Sequence, residues 1–220
     1  MKFYLSNCLI FLSKNIFYLL ISKYICIINN WVNRMSLTRE KIMDLGETLI
    51  RTRGYNGFSY NDISSELGIK NAAVHYYFPS KESLGTAIVR TNLQRFEEMV
   101  ENIQSREFDE LRQLDAFLKI YIRSNREKKL CLVGAMSPDI NTLNDSTALE
   151  LKKLVEYTSS WLTELLDKGR QKGIFAFSGE ARDKAMAIFS SLVSGLQLSR
   201  VVDNFDFKSL YRFIQADLKA

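Results

Sequence analysis

The chain has 220 residues, 46% of them hydrophobic and 25% charged, with a formal net charge of +5. The roughly 185 residues from Met35 onward are enough to form two compact parts with a real core. Residues 1–34 hold four basic side chains and no acid, so most of the net charge arises there. The basic balance is therefore poor evidence for nucleic acid binding, which must rest on local motifs.

Residues 1–34 differ in composition from the rest of the chain, with seven aromatic residues and no Gly, Pro, Ala or acid. Asn7, Lys14 and Lys23 divide them into apolar runs too short for a transmembrane helix, and no secretory cleavage site is visible. Met35 reads like a natural start just before the first helix of a domain. The pattern favours a non-native or disordered extension left by a wrongly assigned start codon, with a membrane or interfacial anchor as the alternative.

Residues 59–81 predict two short helices joined by a glycine turn. Ser59 can cap the first helix, which ends at Leu67, and Gly68 supplies the turn. A second helix is expected from about residue 71 to Phe78, where a proline forbids continuation. Its periodicity turns Val74 and Phe78 inward and leaves small and hydrogen-bonding groups on the outward arc, which fits a DNA groove.

A set of spaced motifs lies between Leu37 and Leu84: Gly54-Tyr55, Gly57-Phe58-Ser59, Ile63-Ser64, Leu67-Gly68-Ile69 and Tyr76-Tyr77-Phe78-Pro79-Ser80-Lys81-Glu82-Ser83-Leu84. With these motifs the segment resembles the DNA-binding domain of the tetracycline-repressor family. A bare helix-turn-helix pattern would be weak, since it could equally be a corner between two core helices, but many spaced positions match here.

The resemblance implies base contacts from the second helix. Asn71 can pair with adenine, the Ala72 and Ala73 methyl groups can touch a thymine methyl, and His75 can reach a base edge or a phosphate. Lys70 stands where the family often has a Ser or Thr cap, so this cap is weaker and Lys70 is expected near phosphate.

A second group of side chains is expected to contact the DNA backbone and position the domain without reading sequence: Tyr60, Asn61, Tyr76, Tyr77 and Lys81. For Tyr77 the alternative is core packing behind the second helix of the pair, the recognition helix, and core packing is the commoner role of a large aromatic residue.

The remaining chain predicts helices almost without interruption. Their expected ranges are about 80–104, 109–126, 131–136, a long helix through 151–165 that ends near 169–173, then 180–202 and 207–219. The helix at 180–202 has two apolar stripes where a surface helix needs one. One stripe is expected to pack on a second copy of the chain, and the family likewise uses its last two helices as a dimer interface. The interface residues expected are Ile188, Ser191, Gly195, Leu198, Val202, Leu210 and Ile214; full enclosure of the helix in the monomer is the alternative.

The family resemblance also implies a small-molecule effector held by the helical second domain, although the sequence does not name it. The candidate lining residues, each of which could instead be plain core, are Phe96, Met99, Tyr121, Cys131, Met136, Tyr157 and Trp161. Cys131 invites two interpretations. It is either a reactive thiol activated by Lys128 and Lys129, or a buried, inert one, and its apolar flanks favour the second.

The sequence shows no nucleophile and base set, no glycine-rich phosphate loop and no Cys or His cluster with ligand spacing. We therefore expect no enzyme activity, no cofactor and no metal site. Outside the extension only Cys131 remains, so no internal disulfide can form and the protein is expected in the cytoplasm.

These patterns together predict an all-α, homodimeric, ligand-responsive regulator that binds a pseudo-palindromic site in double-stranded DNA. Repression is the sign that the resemblance implies. The expected organisation is an extension at 1–34, a helix-turn-helix domain of three helices at 35–84 and a helical effector-binding and dimerisation domain at 85–220. A membrane-anchored helical interaction protein, using residues 1–34 as its anchor, is the alternative.

Overall fold

A computed structural model describes residue 35 and residues 37–218. The predicted all-α class is confirmed, because the described residues form helices and no β-strand. The expected N-terminal extension, and the anchor alternative that depends on it, lie outside the described residues.

Nine helices are described, which we number in chain order. The first, α1, covers 37–53. The others are α2 (Tyr60–Leu67), α3 (Asn71–Tyr77), α4 (Lys81–Ser105), α5 (Glu110–Arg126), α6 (Leu132–Met136), α7 (Asp145–Gln171), α8 (Ala181–Leu198) and α9 (Phe207–Asp217), with 3-10 turns at Tyr55–Gly57 and Ser137–Thr142.

The turn between α2 and α3 follows from local chemistry. Ser59 and Asp62 form a capping box at the start of α2, in which the Asp62 carboxylate accepts the Ser59 backbone N–H at 2.8 Å. Gly68 ends the helix with φ 63°, a left-handed conformation that glycine adopts without steric cost. Its N–H and that of Ile69 bond back to carbonyls of α2, so the reversal satisfies the free helix end.

The core of the larger helical part lies between α4, α5, α7, α8 and α9. Phe96, Phe117 and Trp161 meet edge to face or tilted, with ring centroids 5.4 to 6.1 Å apart. Such contacts add to the free energy gained by burying the rings. A close approach occurs where the Phe175 ring covers Gly169, since a Cβ at that glycine would lie 2.1 Å from a ring carbon. The sharp reversal after α7 therefore depends on glycine at 169.

The predicted helix boundaries hold to within about two residues, except at the end of α8. That helix ends at Leu198 rather than at residue 202, and turns cover the four residues after Leu198. The Asp206 carboxylate then caps α9 by accepting the Lys208 N–H.

Candidate nucleic-acid interface and effector cavity

The inner side of α3 is fastened to its own domain. Val74 and Phe78 are 0% and 3% exposed, as their periodicity predicts. The single O–H proton of Tyr60 is shared between two carbonyl oxygens, that of Phe78 at 2.9 Å and that of Ser80 at 2.5 Å from the hydroxyl oxygen. Burial raises the pKa of Tyr60 to about 12, so this hydroxyl remains a donor at neutral pH. The end of the recognition helix is thereby held against α2.

The outer side of α3 carries exposed side chains that can reach bases. Asn71, Ala72, His75 and Tyr76 are exposed, and Ala73 is half-buried. His75 Nδ1 lies 3.3 Å from the Pro79 carbonyl oxygen, which leaves the opposite ring nitrogen pointing elsewhere. This arc offers an amide, methyl groups and an imidazole, the chemistry that reads base edges in the major groove.

Of the residues expected to contact the DNA backbone, some are exposed and others are buried or half-buried in the domain. Lys70 and Asn61 are exposed, and the Lys70 side chain makes no capping hydrogen bond to α3. Tyr77 is half-buried and meets Tyr76 edge to face. The Tyr60 side chain is buried, and its hydroxyl already serves the carbonyls described above.

The Lys81 side chain, like that of Tyr60, makes its contacts within the domain. Its ammonium donates to the Phe58 carbonyl at 2.5 Å and lies 4.3 Å from the centroid of the Phe58 ring. Desolvation lowers the pKa of Lys81, in spite of nearby carboxylates that raise it. This lysine joins the start of α4 to the loop before α2, which requires burying part of its charge.

A contact that the sequence did not signal joins the end of α1 to the loop after α5. The Arg51 guanidinium donates to the Leu130 carbonyl at 2.7 Å and to the Ser124 hydroxyl at 2.8 Å. A third bond reaches Glu47 at 3.2 Å. The Arg200 guanidinium, just beyond α8, also donates to a carbonyl of α1, that of Thr52, at 2.7 Å. Arginines in loops and on helix surfaces are common, so no sequence pattern distinguishes these two.

A cavity of about 180 Å³ opens beside this contact. Four of the seven predicted lining residues border it, namely Phe96, Met99, Tyr121 and Cys131. The residues that also line it but were not predicted are Arg51, Asn92, Arg95, Phe117, Ile120, Ser124, Leu132, Val133, Leu154, Thr158 and Phe189.

The other three predicted lining residues lie away from this cavity. Met136 is fully buried, and Tyr157 packs edge to face on the far side of Phe96. Trp161 belongs to the core and borders a separate, smaller cleft with Glu110 and Lys168. Helical spacing gives the inward side of a helix but not the point along that side where packing leaves a gap.

The Cys131 thiol caps α6, where its Sγ accepts the Gly134 N–H at 3.3 Å. Burial raises the pKa of this thiol, and the cation that partly counters the effect is Arg51. Of the two lysines considered as activators, Lys129 pairs with Glu127 at 3.4 Å and Lys128 is exposed. The environment of Cys131 therefore favours the neutral thiol.

The predicted dimer residues divide between the core and the surface. Ile188, Gly195 and Ile214 are buried within the chain, and a Cβ at Gly195 would lie 2.7 Å from a methyl carbon of Leu210. That glycine thus permits α9 to approach α8. The exposed members of the predicted set are Ser191, Leu198 and Val202, and the further exposed apolar residues nearby are Met186, Val201 and Phe213.

The turn between α2 and α3, together with the outward arc of α3, defines a helix-turn-helix DNA-binding protein. Residues 42–88 match the sequence profile described as "Bacterial regulatory proteins, tetR family". The matched segment is a tetR-type DNA-binding domain, and the comparisons support a transcriptional regulator of this family.

Solved and curated relatives agree with this match. A TetR-family transcriptional regulator from Agrobacterium tumefaciens superposes with a TM-score of 0.78 and 27% identity, covering 84% of this chain and all of that one. An uncharacterized HTH-type transcriptional regulator of Lactococcus lactis is 29% identical over 53% of this chain. The match spans 62% of that relative's length. The HTH-type transcriptional repressor NemR of Escherichia coli is 20% identical over 77% of this chain and 87% of its own.

Between residues 37 and 218 no helix is both long and apolar enough to cross a bilayer.

Proposed function

We propose that this chain is a repressor that binds a pseudo-palindromic operator as a homodimer and leaves it when a small-molecule effector occupies the cavity. The observation that carries the proposal is the outward arc of α3, where Asn71, Ala72 and His75 are exposed while Val74 is buried. The name of the NemR relative supports repression as the sign of regulation.

Recognition would divide between two kinds of contact. Asn71, Ala72, Ala73 and His75 would read base edges in the major groove. Lys70 and Asn61 lie at helix starts beside this arc, exposed and able to meet phosphate, and would set the register without contributing to sequence preference. Tyr76 and Tyr77 would add contacts to the sugar-phosphate backbone.

A homodimer would present two recognition helices to successive major grooves. The exposed face of α8 supports it, because apolar side chains at Met186 and Leu198 flank the small residues Ser190, Ser191 and Ser194. Small residues let two helices approach closely, and apolar ends gain free energy when covered. The spacing of the two α3 helices would then determine the fit to the operator.

Effector control would follow from the Arg51 contact, which joins α1 to the wall of the cavity. The effector would bind best to a dimer whose two α3 helices are spaced wrongly for the operator, and it would thereby lower operator affinity. Because the coupling is reciprocal, bound DNA would lower effector affinity by the same factor. On this proposal residues 35–84 bind DNA, residues 85–220 bind effector and dimerise, and the protein works in the cytoplasm.

Fluorescence anisotropy with the full-length chain tests the proposal. Labelled fragments from upstream of its own gene would be titrated at two salt concentrations, beside the Asn71→Ala/His75→Ala double variant. Gln94→Ala, an exposed polar residue on α4, is the control. We expect saturable binding to one fragment, unchanged in the control and weakened at least about 100-fold in the double variant, because each base contact contributes about 1–3 kcal/mol.

Two outcomes would contradict the proposal. Binding that ignores sequence, or that survives the double substitution, would remove the assigned base readers. A folded dimer that binds none of these fragments would contradict control of its own upstream region.

A further inference from the structure

One wall of the cavity carries a hydrogen-bond donor that the described protein groups do not use. Tyr121 is 5% exposed and borders the cavity. Among the described residues, its hydroxyl has no hydrogen-bond partner. Burial holds the pKa of Tyr121 well above its usual range, so the hydroxyl keeps its proton. A donor at the cavity wall that no protein group uses is available to an acceptor on a ligand, and such a contact selects among ligands.

The charged groups around the cavity are already paired. Arg51 donates to Leu130, Ser124 and Glu47. Arg95 pairs with Glu47 at 2.8 Å and with Asp44 at 3.5 Å. A charged ligand would have to break one of these sets and lose its own hydration, whereas an uncharged ligand disturbs neither.

Most of the remaining lining is apolar, and three of its side chains are the aromatic rings of Phe96, Phe117 and Phe189, while Asn92, Ser124 and Thr158 add polar groups. Phe96 and Phe117 meet edge to face with ring centroids 6.1 Å apart, and Met99 and Leu154 are among the other apolar lining residues. The volume of about 180 Å³ is slightly larger than the cavity of about 150 Å³ that accepts benzene in another protein. One substituted aromatic ring is therefore the appropriate size.

We propose that the cavity binds an uncharged, single-ring aromatic compound whose acceptor oxygen takes a hydrogen bond from the Tyr121 hydroxyl. This inference rests on the proposed role of the cavity as the effector site, and it adds the chemical class of the effector.

Three ligands of nearly equal shape test whether the cavity selects for a hydrogen-bond acceptor and against a charge. Acetophenone has the ring and a carbonyl acceptor, ethylbenzene lacks the acceptor, and benzoate carries a negative charge. Each would be titrated into the full-length protein without DNA, with dissociation constants measured by ligand-observed NMR. We expect the order of affinity to be acetophenone, then ethylbenzene, then benzoate.

The variant Tyr121→Phe removes only the hydroxyl. It should weaken acetophenone binding about five- to tenfold, the effect of one neutral hydrogen bond, and leave ethylbenzene binding unchanged. Tyr157→Phe is the matched control, because Tyr157 contacts the same Phe96 ring from outside the cavity. Its affinities for all three ligands should equal those of the parent protein.

Several results would overturn the proposal. Benzoate binding tightest would indicate that Arg51 or Arg95 receives an anion. Equal losses in the two Tyr→Phe variants, or no binding of acetophenone at its solubility limit, would show that Tyr121 is not a ligand donor. Since these titrations contain no DNA, their failure is distinguishable from failure of operator binding, which the anisotropy experiment measures separately.

Discussion

Arg51 and Leu130 hydrogen-bond to each other in both directions. The Leu130 N–H donates to the Arg51 carbonyl at 2.9 Å, and Arg51 Nε donates to the Leu130 carbonyl at 2.7 Å. The next residue, Cys131, borders the cavity. Arg51 lines the same cavity, so a change in the cavity wall acts directly on the end of α1, which precedes the helix-turn-helix.

Substituting Arg51→Lys should destabilise the protein measurably. Lysine keeps the charge but cannot supply the planar fork that donates to Leu130 and Ser124 at once. A loss of about 1–3 kcal/mol corresponds to a drop in melting temperature of about 3–10 °C for a protein of this size. Differential scanning calorimetry would measure it.

The control for this substitution is Arg95→Lys. Arg95 is half-exposed, and its ion pairs with Glu47 and Asp44 lie at the surface, where such pairs contribute about 0–1 kcal/mol. We expect its melting temperature to fall by less than half as much as in Arg51→Lys. Equal shifts would mean that charge alone, and not the fork geometry, holds α1 to the loop after α5.

Lys70 and Lys81 should affect operator binding differently, although both were expected near phosphate. Lys70→Met should lower the slope of log affinity against log salt by about 1.8 for a dimer, because each of two lost phosphate contacts releases about 0.9 of a counterion. Lys81→Met should leave the slope unchanged and destabilise the domain by about 1–2 kcal/mol, since its ammonium bonds the Phe58 carbonyl. Anisotropy over a salt series and thermal unfolding measure the two effects. A salt slope that responds to Lys81 and not to Lys70 would reverse the assignment.

The sequence was informative wherever local chemistry determines structure. The cap at Ser59, the turn at Gly68 and the inward side of α3 at Val74 each depend on interactions within a few residues, and the structure has them as predicted. The fold as a whole could be predicted from the family resemblance, because the resemblance combines many such local positions.

Contacts between residues far apart in the chain were not predictable in this way. Arg51 and Leu130 are separated by 79 positions, and no property of either residue alone indicates the other. Gly195 shows a second limit. Its small size was consistent with close approach of a partner subunit, but the structure places Leu210 of the same chain against it. A pattern of small residues indicates close packing without identifying the neighbour.

Cys131 should react slowly with iodoacetamide in the native protein. The thiolate is the nucleophile, and burial raises the pKa of this thiol, so its thiolate fraction is below that of an unfolded chain at any pH. In a Cys8→Ser/Cys26→Ser background, we expect alkylation at about pH 7.5 to be at least about tenfold slower than in urea, followed by mass spectrometry. The same raised pKa makes the stability of the folded protein depend on pH. The folded state holds the thiol proton more tightly, so the stabilisation is complete below the ordinary thiol pKa and declines as pH rises through it. Native labelling as fast as in urea would restore the reactive-thiol interpretation.

Leu198 should be required for dimerisation, and the chain offers a closely matched control. Leu198 at the end of α8 and Leu111 at the start of α5 are each 49% exposed, so they differ in position and not in accessibility. An arginine at position 198 would place a charge in the proposed interface, where no opposite charge compensates the free-energy cost of its desolvation. Leu198→Arg should therefore give the mass of a monomer in size-exclusion chromatography with light scattering, at a concentration where Leu111→Arg and the parent protein are dimers. Operator affinity should fall in parallel, because a single recognition helix reads only one half-site. A Leu198→Arg protein that remains dimeric would place the interface on another face, and a parent protein that is itself monomeric at all concentrations would remove the homodimer from the proposed function.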